Sequence, residues 1–97
     1  MAQIQQQGHR WIIGGDITIN QVEQLLAESR KLSMPGTLEL DLSQVAEVDS
    51  VALSLIFEWL RLAQANKVNL TVTGLPDNLV SLATLYGVLE LLPQSSH

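Results

Sequence analysis

The stretch "DLSQVAEVDSVALSLIFEWLRLAQ", residues 41–64, decides the fold because it leads from the end of a strand into an apolar helix. The preceding "TLELDL" (37–42) alternates strictly between apolar and polar residues, which is typical of a strand with one buried face. After Val51, apolar residues cover roughly 240° of the helical wheel, whereas one sheet contact needs about 100°. The sequence therefore predicts a helix with more apolar surface than one sheet can bury.

Two explanations of this excess stay open. Neighbouring helices could cover both flanks of the helix, or one edge could stay open until a partner covers it. The last helix adds to the excess, because Val80 and Leu85 lie off its main apolar stripe. A sizeable exposed apolar patch usually marks an interaction surface. We favour the partner surface, because three short helices offer limited area for so many large side chains.

The N-terminal part predicts a hairpin and a first helix. Gly8 and His9 are expected to turn the hairpin, with Gly in the first position of a type II′ turn. The strand "RWII" is expected to end at Gly14 and Gly15. A helix is predicted over residues 19–32. Two pairs could form a capping box at its start: Thr18 with Gln21, and Asn20 with Glu23.

The C-terminal part predicts another strand and a last helix. "VNLTVT" (68–73) again alternates, and the last helix is expected to begin near Pro76 and to end at Gly87. The order β(β)αβαβα predicts one α/β domain over residues 1–97, with its core at about 10–93, and a mixed sheet. Because the strands alternate, we expect the helices mainly on one face. The expected apolar stripe of the last helix is Leu79, Leu82, Ala83 and Tyr86.

Composition excludes several classes of function. The 97 residues carry a net charge of −5, only five Lys and Arg, and no cysteine. No clustered basic face is visible, so we expect neither nucleic-acid binding nor direct binding to anionic lipid. His9 and His97 lie near opposite ends and do not suggest a zinc site. With no secretory signal and no long apolar run, the expected location is the cytoplasm.

Sites for chemistry are weakly supported. Gly14–Gly15 does not form a phosphate-binding motif. Asp41 at a strand end is reminiscent of a phospho-accepting receiver, but the other acidic and lysine residues of such a site are missing. A cluster of Asp41, Glu47 and Asp49 could serve acid–base chemistry or a hard metal, yet solvated loop carboxylates are the better interpretation. We therefore predict no enzyme, no catalytic residues, no metal and no cofactor.

The Asp–Ser pair before the helix has two interpretations. Asp49 or Ser50 can cap the helix by accepting a bond from a free amide. Alternatively, Ser50 is exposed at a helix N-terminus, which favours negative charge and would tolerate a phosphoserine.

The motif around these residues resembles the STAS domain family, which includes anti-sigma factor antagonists and domains of anion transporters. The resemblance runs from about residue 10 to residue 93 and implies a STAS-like fold. Antagonists carry their modified Ser or Thr where this chain has Val51, and their usual Gly is Ala52 here, so only Ser50 remains as a possible phospho-acceptor. The matching residues are Asp41, Leu42, Val45, Val48, Asp49, Ser50 and Leu53.

The tail "GLPDNLVSLATLYGVLELLP" resembles one branch, the small STAS subunit of the Mla phospholipid transporter, which serves outer-membrane lipid asymmetry. This implies a non-catalytic protein that binds the transporter's ATPase and stabilises or regulates it, peripheral to the inner membrane, with ATP and Mg²⁺ belonging to the partner. Alone, it could form a homo-oligomer. The alternative is an anti-sigma factor antagonist or a related partner-switching regulator. The tail matches are Leu79, Leu82, Ala83, Leu85 and Tyr86, and the expected docking residues are Asp49, Ser50, Val51, Ser54, Glu58 and Arg61.

Overall fold

The computed structural model describes residues 2–94, which form one four-stranded sheet, three α-helices and a final 3₁₀ turn. His97 lies outside the described residues. The elements are β1 (Gln3–Gln7), β2 (Arg10–Ile17), α1 (Val22–Ser29), β3 (Thr37–Val48), α2 (Val51–Ala65), β4 (Asn69–Thr73), α3 (Asp77–Leu85) and the 3₁₀ turn (Leu89–Leu91).

The sheet is mixed, as predicted. Its strand order is β1-β2-β3-β4, with β1 antiparallel to β2 and with β2, β3 and β4 parallel. Gly8 has a φ of +59° in the two-residue turn between β1 and β2, while His9 does not have a positive φ. A positive φ at the first position alone is what a type II′ turn requires. The hairpin is therefore confirmed.

The helices pack on one face of the sheet. In β3, Leu38 and Leu40 are fully buried, whereas Glu39 between them is only half-buried on the opposite face. Leu25 of α1 and Leu79 of α3 join the same buried cluster. The alternation in the sequence thus predicted correctly which face of the sheet carries the core.

Two tryptophans connect the sheet to the helices. Trp11 of β2 and Trp59 of α2 meet edge to face, with ring centroids 5.9 Å apart. Trp59 Nε1 donates to the buried Ser29 Oγ of α1 at 2.9 Å, and this hydroxyl donates to the Leu26 carbonyl at 2.8 Å. Trp11 Nε1 donates to the Ser33 carbonyl at 3.3 Å. Each indole is thus buried with a hydrogen-bond partner, as large amphipathic rings require.

The expected end of β2 at Gly14–Gly15 is wrong, because the strand continues to Ile17. The glycines lie where the register between β2 and β3 shifts, and Gly15 has a φ of +84°. Glycine allows such an irregularity inside a strand without steric cost. Likewise, β3 does not end at residue 42, because its residues 44–48 pair with the part of β2 that includes these glycines.

The first helix begins later than predicted, at Val22 rather than residue 19, and ends at Ser29 rather than residue 32. Neither expected capping box forms at its N-cap, Gln21. The Thr18 hydroxyl instead donates to the Gln21 side chain, and the Gln21 amide donates to the Thr18 carbonyl at 2.9 Å. Residues 18–21 therefore form a β-turn rather than the first turn of the helix.

Helices α2 and α3 end in the same way. After α3, the Gly87 amide donates to the Thr84 carbonyl and the Val88 amide to the Ala83 carbonyl, with Gly87 at a φ of +69°. This is the Schellman arrangement. After α2, Lys67 takes the same left-handed position with a φ of +56°. Tyr86, which was expected in the apolar stripe, is instead the C-cap of α3 and 57% exposed.

The apolar excess of α2 is largely covered by its neighbours. Six residues of α2 are buried, Phe57, Leu60 and Leu62 are half-buried against the core, and Val51 is half-buried. The large exposed apolar side chains among residues 2–94 lie elsewhere, at Ile19, Leu85, Tyr86 and Leu91. The first explanation of the excess therefore accounts for most of α2. Within the described residues, every helix is too short or too polar to cross a membrane.

Gly74→Ala is expected to destabilise the fold strongly. Gly74 has a φ of +66°, and an added Cβ would lie 2.8 Å from both the Cβ and the backbone N of Ser43. The left-handed backbone costs about 1–2 kcal/mol with a side chain, and overpacking adds about 1–3 kcal/mol. Urea denaturation measures the free energy of unfolding.

Gly87→Ala is the matched control, because its φ of +69° is similar but no atom lies within 4 Å of the added Cβ. Only the backbone cost is expected there. Equal losses in the two variants would show that the approach of Ser43 costs nothing.

Candidate functional site

The start of α2 is held by the carboxylate of Asp49. Its Oδ1 accepts the Val51 amide at 3.0 Å, and its Oδ2 accepts the Ile19 amide at 3.0 Å. One side chain thus satisfies a free amide at the helix start and fixes the turn that follows β2. Of the two capping residues that the sequence allowed, Asp49 makes the bonds.

Ser50 is left exposed by this arrangement. It occupies the N-cap position of α2, but its hydroxyl makes no capping hydrogen bond. Ser50 therefore presents a small polar side chain at the positive end of a 15-residue helix.

A shallow groove of about 350 Å³ adjoins Ser50. One wall comes from α2 and includes Val51, Ser54 and Phe57, and the other comes from Tyr86 and Val88 after α3. Phe57 and Val88 are only half-buried, so the groove offers apolar contact beside a polar helix start. We call this set, with Ser50, the helix-start groove.

The structure brings together only some of the expected docking residues. Ser50, Val51 and Ser54 line the helix-start groove. Asp49 does not line it, but its carboxylate accepts the Val51 amide. Glu58 and Arg61 lie one and two turns further along α2 and do not line it.

Sequence reasoning missed the other wall. Tyr86 was assigned to the core because its spacing continues the apolar stripe of α3. The left-handed Gly87 ends the helix there and leaves the ring outside. A tyrosine directly before a helix-ending glycine was the available signal.

Glu58 and Arg61 form an ion pair on the surface of α2. Arg61 Nε donates to Glu58 Oε1 at 3.0 Å, and Arg61 Nη2 contacts Oε2. The hydrogen bond from Arg61 lowers the pKa of Glu58 and raises the pKa of Arg61. Both groups are therefore charged near neutral pH, in a pair that is exposed to solvent.

The acidic residues considered for chemistry are separate from one another. Asp41 accepts the Ser43 amide at 2.9 Å and lies 4.0 Å from Arg10 on the open face of the sheet. The Glu47 amide donates to Asp16, and Asp49 holds the helix start. Within residues 2–94, no three His, Cys, Asp or Glu side chains are grouped as a metal site would require.

Asp49→Ala is expected to lower the free energy of unfolding by about 1–2 kcal/mol, because two backbone amides lose their acceptor. Urea denaturation measures the loss. Glu47→Ala is the control, since Glu47 is exposed and only its backbone amide is engaged. If both variants lose the same amount, the two bonds of Asp49 do not stabilise the fold.

Glu58 is expected to titrate below its ordinary pKa of 4.5. Because its pKa is lowered in the folded state, the benefit of the pair is present above pH 4.5 and is lost as the pH falls through the lowered value. Carboxyl ¹³C chemical shifts measure the titration. In Arg61→Gln the pKa should rise, whereas an unchanged pKa would show that the Arg61 contact does not persist in solution.

Comparisons with known proteins agree with this architecture. The family model described as "Mlab, STAS domain" matches residues 2–93. The intermembrane phospholipid transport system binding protein MlaB of Escherichia coli (strain K12) is 34% identical over 70 residues, which cover 71% of this chain and 72% of that protein. MlaB of Shigella flexneri gives the same identity and coverage.

Solved structures share the fold. The unphosphorylated anti-sigma factor antagonist SpoIIAA has a TM-score of 0.73 at 13% identity, covering all of this chain and 90% of that one. A sulfate transporter family protein from Wolinella succinogenes has a TM-score of 0.69 at 18% identity, covering 87% and 70%. At these identities the likeness shows the fold alone. The match of the family model over nearly the whole chain and the identity to MlaB show that the chain belongs to the STAS domain family, in its MlaB group.

Proposed function

We propose that this chain is a non-catalytic STAS subunit of a phospholipid-transporting, Mla-type ABC transporter. It binds the cytoplasmic ATPase subunit and stabilises or regulates it, peripheral to the inner membrane. ATP and its Mg²⁺ belong to the partner. The 34% identity to MlaB, whose name assigns it to an intermembrane phospholipid transport system, supports the choice of system.

The observation that carries the proposal is the free hydroxyl of Ser50 beside the helix-start groove. Asp49 already caps the helix, so the Ser50 hydroxyl is available to a partner. Ile19 lies next to this point, since its amide bonds Asp49, and its side chain is 69% exposed. Protein interfaces combine a few apolar anchors with polar contacts at their rim, and the apolar groove with the accessible hydroxyl at its edge offers both.

In this proposal the docking face consists of the helix-start groove and the adjoining surface of α2. Ser50, Val51 and Ser54 make the central contacts. The ion pair of Glu58 and Arg61 lies further along the same helix and contributes at the rim, where charges affect the rate of association more than the affinity. Ser50 also remains the candidate phospho-acceptor of the chain.

The alternative is an anti-sigma factor antagonist or a related partner-switching regulator. Its support is the shared fold with SpoIIAA. Val51 stands where the resemblance places the modified Ser or Thr of antagonists, and a valine cannot be phosphorylated. This residue favours the transporter proposal.

An affinity pull-down of the tagged chain from native membranes, followed by mass spectrometry, distinguishes the two. Recovery of an ABC ATPase with its permease is the expected result. Recovery of a kinase-like anti-sigma factor instead would overturn the transporter proposal.

Ser50→Arg is expected to abolish recovery of the ATPase while leaving the fold intact. The exposed position tolerates the larger side chain in the free protein, but the long cation occupies the docking face. Gln64→Arg is the matched control, since Gln64 is exposed about 21 Å further along the same helix. Circular dichroism checks the fold of both variants. Normal recovery with Ser50→Arg would remove Ser50 from the docking face.

A further inference from the structure

A second pocket lies towards the other end of α2, about 14–24 Å from Ser50 along the helix. Its volume is about 320 Å³, and its floor is formed by Trp11 and Trp59. Leu32, Met34 and Leu62 provide half-buried walls. We call this site, with Arg30 and Asn66 at its exposed rim, the tryptophan pocket.

The polar groups in the floor of the tryptophan pocket are already engaged. Ser29 Oγ accepts from Trp59 Nε1 and donates to the Leu26 carbonyl, and Trp11 Nε1 donates to Ser33. Among residues 2–94, every buried side-chain nitrogen and oxygen has a hydrogen-bond partner. The floor therefore asks for no polar group from an occupant, and because Trp11 and Trp59 are almost fully buried, the apolar contact comes from the half-buried walls of the pocket.

The charge around this pocket is opposite to that of the whole chain. The net charge is −5 with only five Lys and Arg, yet Arg30 lines the pocket and Lys31 follows it. Lys67 follows the rim residue Asn66. None of these three cations is in an ion pair with any of residues 2–94. Glu58 is close enough to Arg30 for this cation to lower its pKa, but Glu58 is paired with Arg61. A local excess of positive charge therefore remains beside the pocket.

Helix geometry explains part of this pattern. Arg30 and Lys67 lie at the C-terminal ends of α1 and α2, where cations offset the helix dipole. The dipole accounts for the cations but not for an open apolar pocket between them. The combination fits a ligand that is apolar at its centre and acidic at its edges.

We propose that the tryptophan pocket binds an acidic segment of a partner protein, which inserts one large apolar side chain between Leu32, Met34 and Leu62. The volume is at the lower limit of small-molecule pockets and suits a single anchor residue. Arg30, Lys31 and Lys67 attract the flanking Asp and Glu residues. This surface is separate from the helix-start groove and does not rest on the function proposed above.

The test uses the only two tryptophans of the chain as reporters, because both form the floor. The probe is an eight-residue peptide with a central Phe–Leu pair flanked by Asp and Glu. Saturable change of tryptophan fluorescence is expected, with a Kd below about 1 mM. Replacing Phe–Leu by Ala–Ala, or the acidic residues by lysines, should weaken binding by at least about fivefold.

Variants locate the site. Arg30→Gln combined with Lys67→Gln should weaken binding of the acidic peptide at least about fivefold, and about 0.5 M salt should do the same to the unaltered protein. Arg10→Gln is the control, because Arg10 lies on the opposite face of the sheet, paired with Glu39. Circular dichroism confirms that each variant is folded.

Several results would overturn the proposal. One is the absence of a saturable fluorescence change up to about 1 mM peptide. Another is that the lysine-flanked peptide binds as tightly as the acidic peptide. A third is that Arg10→Gln weakens binding as much as the Arg30→Gln and Lys67→Gln pair. Saturable change with octanoate but not with the peptide would assign the pocket to a fatty acid or lipid instead of a protein.

Discussion

The two hydrogen bonds of Asp49 connect three parts of the fold at one point. The carboxylate lies directly after β3, caps α2 and holds the turn between β2 and α1. Because β2 and β3 are parallel neighbours, their C-terminal ends lie side by side, and Asp49 bonds the segments that follow both strands. This arrangement leaves the Ser50 hydroxyl without a capping bond, which is why a polar side chain is exposed at the helix start.

Much of the fold was predictable from local patterns. The alternation in "TLELDL" and "VNLTVT" identified the core face, and Gly8 identified the hairpin turn. The error in the length of β2 came from an interaction between distant residues. Gly14 and Gly15 looked like the end of a strand, but pairing with β3 carries β2 past them.

The candidate site was predictable only in part. The motif identified Ser50, Val51 and Ser54 because they are close in sequence. Tyr86 joined them through tertiary packing and the left-handed turn at Gly87, which periodicity alone does not contain. The apolar excess of α2 was read correctly from the sequence, but most of it is covered within the chain. Of the four large apolar side chains that are exposed among residues 2–94, Ile19 and Tyr86 lie beside the start of α2.

The position of β3 between two parallel neighbours also affects how the chain folds. The β1–β2 hairpin closes through a two-residue turn, but β3 can join β2 only after the segment containing α1 has been closed into a loop, and β4 can join β3 only after α2. Such closures cost chain entropy before the pairing compensates for it. Folding of this domain is therefore governed by non-local contacts, and its rate should lie nearer to that of mixed α/β domains than to that of helical bundles of equal length.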